Sequence, residues 1–255
     1  MIKQKSIENL LKDFIEDSKK DFNFKTDWDE PIVGFAKAND PLFLQLKNIV
    51  NENHKSPNEL FSQAKTVISY FIPFNQSIVS SNTKGKFAST EWAIAYVETN
   101  KIITEINAFL IDNLKHESFD SLYIPPTHNF DKNLLVSYWS HKHVAYIAGL
   151  GKFGLHKMII TEKGCSGRLG SLITSAKIKT TNRTEKEYCL YFYNKSCKLC
   201  IDRCFYNALK AESFDRQKCY DVCLENGRIY SHLGLSDMCG KCACEVPCSL
   251  KNPVK

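Results

Sequence analysis

The chain has 255 residues, of which 43% are apolar and 24% are charged, and these fractions are typical of a globular protein. No run of about 18 apolar residues occurs, so we expect no membrane-spanning helix. Most of the formal net charge of +6 lies in residues 177–255, which carry 14 Lys and Arg against 9 Asp and Glu. No dense stripe of Lys and Arg with interleaved aromatic residues is present, which disfavours a dedicated nucleic-acid-binding surface.

The predicted elements begin with a helix in SIENLLKDFIEDSKK, where apolar residues recur at helical spacing. TVISYFIPF is β-branched and aromatic and predicts a buried strand. STEWAIAYVETNKIITEINAFLIDNL predicts a long helix with Ser89 or Thr90 as its N-cap. Next come a short strand in SLYIPPTHNFD, a helix, glycine turn and strand in SHKHVAYIAGLGKFGLHKMIITEKG, and a strand in GRLGSLITSAKI.

Helical and strand patterns alternate up to about residue 180, and cysteines with short helices follow. We therefore predict an α/β (α+β) cofactor-binding domain over residues 1–180 and a small ferredoxin-like module with two 4Fe-4S clusters over residues 181–255. The charged N-terminal stretch lacks an apolar signal core, which predicts a cytoplasmic location and no membrane contact. Cytoplasmic thiols stay reduced, so clustered cysteines there favour metal or redox chemistry over disulfides.

Ten of the 11 cysteines lie in the last 67 residues. In proteins with two 4Fe-4S clusters, three cysteines of a tight run bind one cluster and the fourth reaches the other. We predict this crossed arrangement here. The predicted ligands of cluster one are Cys189, Cys197, Cys200 and Cys248, and those of cluster two are Cys204, Cys219, Cys239 and Cys242.

The first run departs from the common C-x2-C-x2-C-x3-C-P pattern. Asn194 stands at its first cysteine position and Phe205 replaces the proline, so Cys189 is taken as the substitute ligand. Cys223 and Cys244 lie among the predicted ligands and compete with them.

Structural zinc is the plainer alternative. The pairs Cys197/Cys200 and Cys239/Cys242 would form one all-thiolate tetrahedral site. That site would leave Cys189, Cys204, Cys219 and Cys248 without a role. Outside the cluster of cysteines, Cys165 reads as a small apolar residue beside a glycine turn, with a ligand role as the alternative.

Two glycine-rich segments flank one predicted strand. AGLGKFG has the spacing G-x-G-x-x-G, but a helix precedes it and a strand follows, which disfavours a dinucleotide-binding fold. Small residues, free backbone amides and one arginine suit a polar cofactor rim, although turn chemistry alone is the alternative. The predicted cofactor-binding residues are Gly149, Gly151, Gly154, Ser166, Gly167, Arg168, Gly170 and Ser171.

His141 is the candidate proton donor, because imidazole supplies protons near neutral pH. His141 and His143 are two residues apart on a predicted helix and point to different faces, which makes them poor joint metal ligands. A hydrogen-bonded structural histidine is the alternative interpretation of His141. His128 and Tyr138 are weaker candidates.

SHKHVAYIAGLGKFGLHKMIITEKGCSGRLGSLIT followed by CKLCIDRC resembles the epoxyqueuosine reductase family, an iron–sulfur and cobalamin-dependent group related to reductive dehalogenases. The resemblance covers residues 60–250 at the level of pattern. It implies a domain that holds base-off cobalamin, cradled by the two glycine-rich turns, with two 4Fe-4S clusters that supply electrons. It also implies reduction of cobalt to Co(I) and protonation of the substrate by a nearby acid.

The chain departs from that family in two further ways. The tRNA-modifying members carry a C-terminal helical-repeat domain, and Lys255 ends the sequence before one, so we expect a short form and doubt a tRNA substrate. The family's acid is an aspartate about a dozen residues before AGLG, where the nearest acid here is Asp131.

Two classes of function compete. The first is a cobalamin-dependent reductase of a small molecule or modified nucleoside, with a low-potential electron donor such as a ferredoxin or flavodoxin. The second is an electron-transfer protein that reduces or activates a partner protein. The two glycine-rich turns favour the enzyme, whereas the missing acid favours the electron carrier. FMN in place of cobalamin is a less favoured variant of the enzyme.

Overall fold

A four-stranded sheet lies at the centre of the computed structural model, which describes residues 2–21, 23–125, 127 and 129–254. Its strand order is β1-β2-β8-β3, and each neighbouring pair is antiparallel. The strands of this sheet are β1 (Ile32–Lys37), β2 (Thr66–Pro73), β3 (Ser121–Tyr123) and β8 (Gly167–Thr174).

Two hairpins accompany the sheet: β4 (Phe130–Asp131) with β5 (Val136–Ser137), and β6 (Gly151–Phe153) with β7 (Ile159–Thr161). The helices are α1 (Gln4–Asp21), α2 (Pro41–Ile49), α3 (Pro57–Leu60), α4 (Gln76–Ser81), α5 (Thr90–His116), α6 (His141–Ile147), α7 (Leu190–Asn194), α8 (Leu199–Asp202) and α9 (Arg216–Ile229). Ser231–Leu233 and Lys241–Ala243 form 3-10 turns.

Helices cover both faces of the sheet, which is why every residue of β2 is buried. Successive side chains of a strand point to opposite faces. Ile68 and Tyr70 accordingly join the core beneath α1 and α5, whereas Val67 joins the core formed with α2 and α6. Helix α5 begins where Ser89 accepts a hydrogen bond from the amide of Trp92 at 3.2 Å.

The cysteine-rich segment is attached to the main core. Tyr230, Met238 and Cys244 are buried in the same apolar cluster as the residues of α5. The ammonium of Lys241 is also buried and donates to the carbonyls of Asn82 at 3.1 Å and Lys84 at 2.7 Å. The predicted boundary near residue 180 falls in an irregular stretch, but the two predicted domains share packing across it.

The predicted helices and strands named above are confirmed, including Ser89 as the N-cap. The α+β form of the predicted fold class is confirmed, because every pairing among the described strands is antiparallel. The described part of residues 181–255 contains short helices and one isolated bridge, Leu209 with Phe214. Its ferredoxin-like character stays a prediction.

None of the described helices combines the length and the apolar character that crossing a bilayer requires.

Candidate functional site

Cysteine set one, defined as Cys189, Cys197, Cys200 and Cys248, lines one small cavity. Cys189 is the N-cap of α7. The helix ends at Asn194, and its C-cap Lys195 has a φ of 64°, which turns the chain toward Cys197. Burial, and then the nearby Cys248, Cys189 and Cys197, raise the pKa of the Cys200 thiol to about 12. Four thiolates in this cavity would therefore need a cationic centre, and iron supplies one.

Cysteine set two, defined as Cys204, Cys219, Cys239 and Cys242, lines a larger cavity of about 310 Å³. Asp215 caps α9 by accepting a hydrogen bond from the amide of Lys218, which places Cys219 in the first turn. Burial raises the pKa of the Cys239 thiol to about 11. Burial, Cys239, Cys219 and Cys200 together raise the pKa of the Cys242 thiol, so the two sets are close enough to interact.

The two C-x-x-C pairs line different cavities, Cys197/Cys200 in set one and Cys239/Cys242 in set two. This arrangement disfavours the single zinc site considered above, which needs all four thiolates around one ion. It matches the crossed grouping predicted for two 4Fe-4S clusters. The identity of the metal and the ligand assignment stay predictions.

The three remaining cysteines differ in their surroundings. Cys244 is fully buried in the main core, and its thiol donates to the carbonyl of Gly240 at 3.2 Å, which suits a structural role. Cys223 lies one helical turn after Cys219 on α9 and lines the same cavity, so it competes with Cys219 as a ligand. Cys165 is buried beside Cys248, and its own amide donates to the Cys248 carbonyl at 3.0 Å.

His156 makes a directed contact with set one. The amide of Met158 donates to His156 Nδ1 at 3.1 Å, so in the neutral ring Nε2 carries the proton. Nε2 lies 3.4 Å from the Sγ atom of Cys248 and donates to it. The donor atoms of His156, Cys165 and Cys248 all lie within 4.8 Å of one another.

A cavity of about 320 Å³ adjoins the set-two cavity, and we call it the central cavity. Its walls come from residues within 127–139, the start of α6 and the first residues of β8, with Tyr96 from α5 and Asp237 from the C-terminal segment. The two cavities share Tyr96, Lys142, Met158, Cys165, Gly167, Arg168 and Asp237 in their walls. A group bound in the central cavity would lie directly beside cysteine set two.

Arg168 crosses the wall between these two cavities. Its guanidinium carbon lies 4.2 Å from the centre of the Tyr96 ring, and Nη2 donates to Asn100 Oδ1 at 2.7 Å. Its Nε is buried and has no hydrogen-bond partner among the described residues. A buried donor without a partner is costly, so this atom favours an anionic or carbonyl group of a ligand.

Tyr96 and Asp237 form a second polar group in the same wall. The Tyr96 hydroxyl donates to Asp237 Oδ1 at 3.1 Å, and burial raises the pKa of Tyr96. The phenol therefore stays protonated at neutral pH. Asp131, the nearest acid in the sequence, instead accepts hydrogen bonds from the amides of Asn133 and Leu134, which lower its pKa.

His141 lies in the wall of the central cavity with both ring nitrogens engaged. Nε2 donates to the carbonyl of Pro125 at 3.1 Å, so Nδ1 accepts from Ser171 Oγ at 3.0 Å. The same hydroxyl accepts from Trp139 Nε1 at 3.0 Å. Burial lowers the pKa of His141 to about 4, so the ring is neutral at pH 7. This geometry favours the structural alternative, and the proton-donor role stays a prediction.

The eight predicted cofactor-binding residues separate into groups. Gly167 and Arg168 line the central cavity, and Ser171 supports His141 from behind. Ser166 Oγ donates to the carbonyl of Ala243 at 2.8 Å, and Gly170 lies against the ring of Tyr70. Gly149 lies in the turn after α6, and Gly151 and Gly154 lie in the β6–β7 hairpin. None of these three glycines is among the residues that line the central cavity.

Gly154 has a local reason to be glycine. A Cβ there would lie 2.6 Å from Cε1 of His156, closer than side chains tolerate. The third glycine of G-x-G-x-x-G therefore makes room for the ring that reaches Cys248.

Sequence reasoning missed Tyr96, Lys142, His156 and Asp237 as site residues. Tyr96 looked like a core position of α5, and Asp237 lies far from it in the chain. His156 follows a glycine segment, which was the one local signal. Of the weaker candidates, Tyr138 is 38% exposed with its hydroxyl 3.5 Å from Asp131 Oδ2, and His128 lies outside the described residues.

Neither a scan against protein-family models nor a search of curated proteins finds a match. A comparison with solved structures does find matches. Epoxyqueuosine reductase from Bacillus subtilis matches 95% of this chain with a TM-score of 0.56 and 20% identity. The chain shares the fold of epoxyqueuosine reductases. It spans 66% of the length of the Bacillus subtilis enzyme.

Two further solved structures have the same fold. Epoxyqueuosine reductase with an epoxyqueuosine-modified tRNA-Tyr stem loop matches 97% of this chain and 70% of that chain, with a TM-score of 0.53 and 19% identity. The catabolic reductive dehalogenase NpRdhA in complex with 3-bromo-4-hydroxybenzoic acid matches 88% of this chain and 30% of that chain, with a TM-score of 0.59 and 13% identity. The predicted resemblance to both groups is confirmed at the level of fold.

Proposed function

We propose that the protein is an oxidoreductase that passes electrons through two 4Fe-4S clusters to a cobalamin in the central cavity and reduces a small molecule or modified nucleoside. One observation carries the proposal: cysteine sets one and two line separate cavities, and set two shares a wall with the central cavity. These three sites form a continuous series, which suits stepwise electron transfer. The fold shared with epoxyqueuosine reductases supports it.

The residues present fit the proposed groups. Each cysteine set offers four thiols, the ligand number of a 4Fe-4S cluster. Lys142 and the buried Lys241 lie beside set two. Burial lowers the pKa of both lysines, and thiolates of the nearby cysteines act in the opposite direction, so occupied thiolate ligands would favour the ammonium forms. In the central cavity, the unpaired Nε of Arg168 and the backbone at Gly167 suit a polar edge of a large cofactor. The cavity volume of about 320 Å³ would hold only part of a cobalamin, and the rest of the cofactor would extend beyond it.

Cobalamin, when bound, would supply a strongly reducing cobalt centre, and the protein would supply position and protons. Arg168 would hold a polar group of the cofactor or substrate against the Tyr96 ring. The protonated phenol of Tyr96, paired with Asp237, would hold a proton at the wall of the cavity. His141 would keep the wall in position through Ser171 and Pro125.

The experiment is anaerobic purification in the presence of cobalamin, followed by iron, sulfide and cobalt analysis and EPR spectroscopy after dithionite reduction. About eight irons with stoichiometric cobalt are expected. Eight irons without cobalt would shift the assignment to an electron-transfer protein or to a flavin enzyme, and bound FMN is read from the absorbance spectrum. Zinc without iron would refute the proposal.

Arg168 offers a second test of the central cavity. Arg168→Met removes a buried charged donor worth about 1.5–3 kcal/mol, so cobalamin affinity is expected to fall by about tenfold or more. The matched control is Arg183→Met. Arg183 forms an ion pair with Asp40, with 2.6 Å between Nη1 and Oδ2, and it is not among the residues that line the central cavity. Cobalamin binding is followed by absorbance titration. Equal affinity in both variants would contradict the assignment of the central cavity.

The position of Asp131 favours the alternative function of an electron-transfer protein. The Asp131 carboxylate accepts hydrogen bonds from backbone amides and does not line the central cavity, so it is not placed to protonate a substrate there. Among the described residues, Asp237 is the carboxylic acid that lines the central cavity, so the Tyr96–Asp237 pair would have to supply the proton for a reductase. A tRNA substrate is a separate possibility, since one structure of the same fold contains a tRNA stem loop. Turnover assays with epoxyqueuosine as the free nucleoside and in an RNA stem loop distinguish these cases. Turnover of the nucleoside indicates a small-molecule reductase, turnover of the stem loop alone indicates a tRNA substrate, and turnover of neither favours the electron-transfer protein.

A further inference from the structure

The surface over cysteine set one is apolar and basic. We define the α7–α8 face as residues 190–199, which cover this set between Cys189 and Cys200. Phe192, Tyr193 and Leu199 are 40%, 59% and 46% exposed on it. Large apolar side chains exposed together are a common mark of protein contact surfaces.

Two lysines add a fixed positive charge to this face. Lys195 Nζ lies 4.4 Å from the centre of the Tyr191 ring, and Lys198 Nζ lies 5.6 Å from it. Both ammonium groups are therefore gathered over one aromatic ring. No Asp or Glu occurs between Glu187 and Asp202. Lys195 and Lys198 are exposed on either side of Cys197, which is itself only partly buried. A cluster at set one, with four thiolates and a +2 core, would add negative charge beneath the face, so these two exposed lysines are the groups that an acidic partner would contact.

From this face, we propose that residues 190–199 dock an acidic one-electron carrier protein that reduces cluster one. The proposal rests on the proposed function, because it requires a cluster at set one. An acidic surface complements the two lysines, and the exposed rings supply the apolar centre of a small transient contact. Cys197 lies inside the face, so a docked carrier would be separated from cluster one by little protein.

Other occupants fit less well. A second copy of this chain would bring its own Lys195 and Lys198 against the same two lysines in a symmetric contact, and these like charges would repel. RNA is disfavoured because residues 190–199 contain no arginine and only two lysines to contact phosphates. The electron transfer itself is balanced. The fully reduced carrier loses one electron, and cluster one gains it, changing from a +2 to a +1 core with no bond made or broken.

The test uses the anaerobically purified, cluster-loaded chain and an acidic flavodoxin in its fully reduced form. Stopped-flow absorbance of the flavin gives the second-order rate of transfer at several salt concentrations. Lys195→Glu/Lys198→Glu is expected to lower the rate at low salt by about tenfold or more and to flatten its salt dependence. The single variant Lys198→Glu should lower the transfer rate by part of this amount. It serves as a second test if the double variant folds poorly, because Lys198 has an ordinary negative φ whereas Lys195 has a φ of 64°.

The matched control is Lys3→Glu/Lys5→Glu. It changes the net charge equally, at two exposed positions at the start of the chain, where Lys5 lies on α1, which packs against α5 and β1. The control should retain most of the wild-type rate. Equal rates in the two double variants would overturn the proposal, and so would a wild-type protein that the flavodoxin does not reduce.

Iron analysis and dithionite reduction followed by EPR are measured on every variant. Iron-free protein would refute the proposed function, and the docking proposal would fail with it. Normal clusters with unchanged flavodoxin rates would refute the docking proposal alone. If Lys195→Glu/Lys198→Glu instead loses affinity for an RNA stem loop while its flavodoxin rate is normal, the face binds RNA and the carrier assignment is wrong.

Discussion

At the scale of single residues, the hydrogen bond from His156 Nε2 to Cys248 Sγ has a testable electronic effect. A donor to a ligand sulfur stabilises the more negative, reduced cluster and so raises its reduction potential. His156→Ala should therefore move the midpoint potential of one cluster to a more negative value and leave the other unchanged. Redox titration monitored by EPR measures both.

The control for this prediction is His116→Ala, because His116 is exposed at the end of α5. Its two potentials should equal those of the wild type. If His156→Ala keeps both potentials but lowers the iron content, the ring only supports the fold. Equal shifts of both clusters would also contradict the assignment, since His156 contacts set one.

At the scale of elements, the loop that carries Cys239 and Cys242 depends on close contact with α5. Gly240 has a φ of 75°, and a Cβ on it would overlap the Trp92 ring. Gly85 has a φ of 71° but no atom within 4 Å of its Cβ position, so it isolates the backbone effect. Gly85→Ala should lower the free energy of unfolding by about 1–2 kcal/mol, because alanine is strained at a positive φ. Gly240→Ala should lower it by that amount and by about 1–3 kcal/mol more, because its Cβ would overlap the Trp92 ring.

Thermal unfolding of the cluster-loaded protein measures this difference. For a chain of this size, each kcal/mol lowers the midpoint by about 2–4 °C. Gly240→Ala should also bind less iron, because the displaced loop carries two ligands of set two. Equal midpoints for the two variants would show that the loop is not held against Trp92.

At the scale of the whole molecule, the proposed clusters should hold the C-terminal segment in place. Among the described residues, 181–255 contain α7, α8, α9 and one isolated bridge but no strand of the central sheet, so ligation of a metal by the predicted cysteines would add to their cohesion. Removal of iron by oxidation and chelation should expose this segment to protease while the sheet core of residues 32–174 persists. Mass spectrometry of timed digests, with the cluster-loaded protein as the control, locates the cuts. Equal cleavage of both forms, or cleavage that begins in the sheet, would contradict this expectation.

The sequence by itself determined the elements, and it predicts metal or redox chemistry for the cysteines. Strand β2, the N-cap at Ser89 and helix α1 are confirmed predictions. Each depends on a local pattern of neighbouring residues, which is visible in the sequence alone. The grouping of eight cysteines into two sets followed from ligand number and spacing, and the structure gathers each set around its own cavity.

Only the tertiary structure decided where these elements meet. Tyr96, Arg168 and Asp237 come from α5, β8 and the C-terminal segment, and no local pattern links positions so far apart in the chain. The antiparallel order of the sheet and the position of cysteine set two beside the central cavity likewise depend on the path of the chain. The role of Gly154, the last glycine of G-x-G-x-x-G, could not be predicted from the local sequence. Gly154 leaves space for the His156 ring and does not line the central cavity.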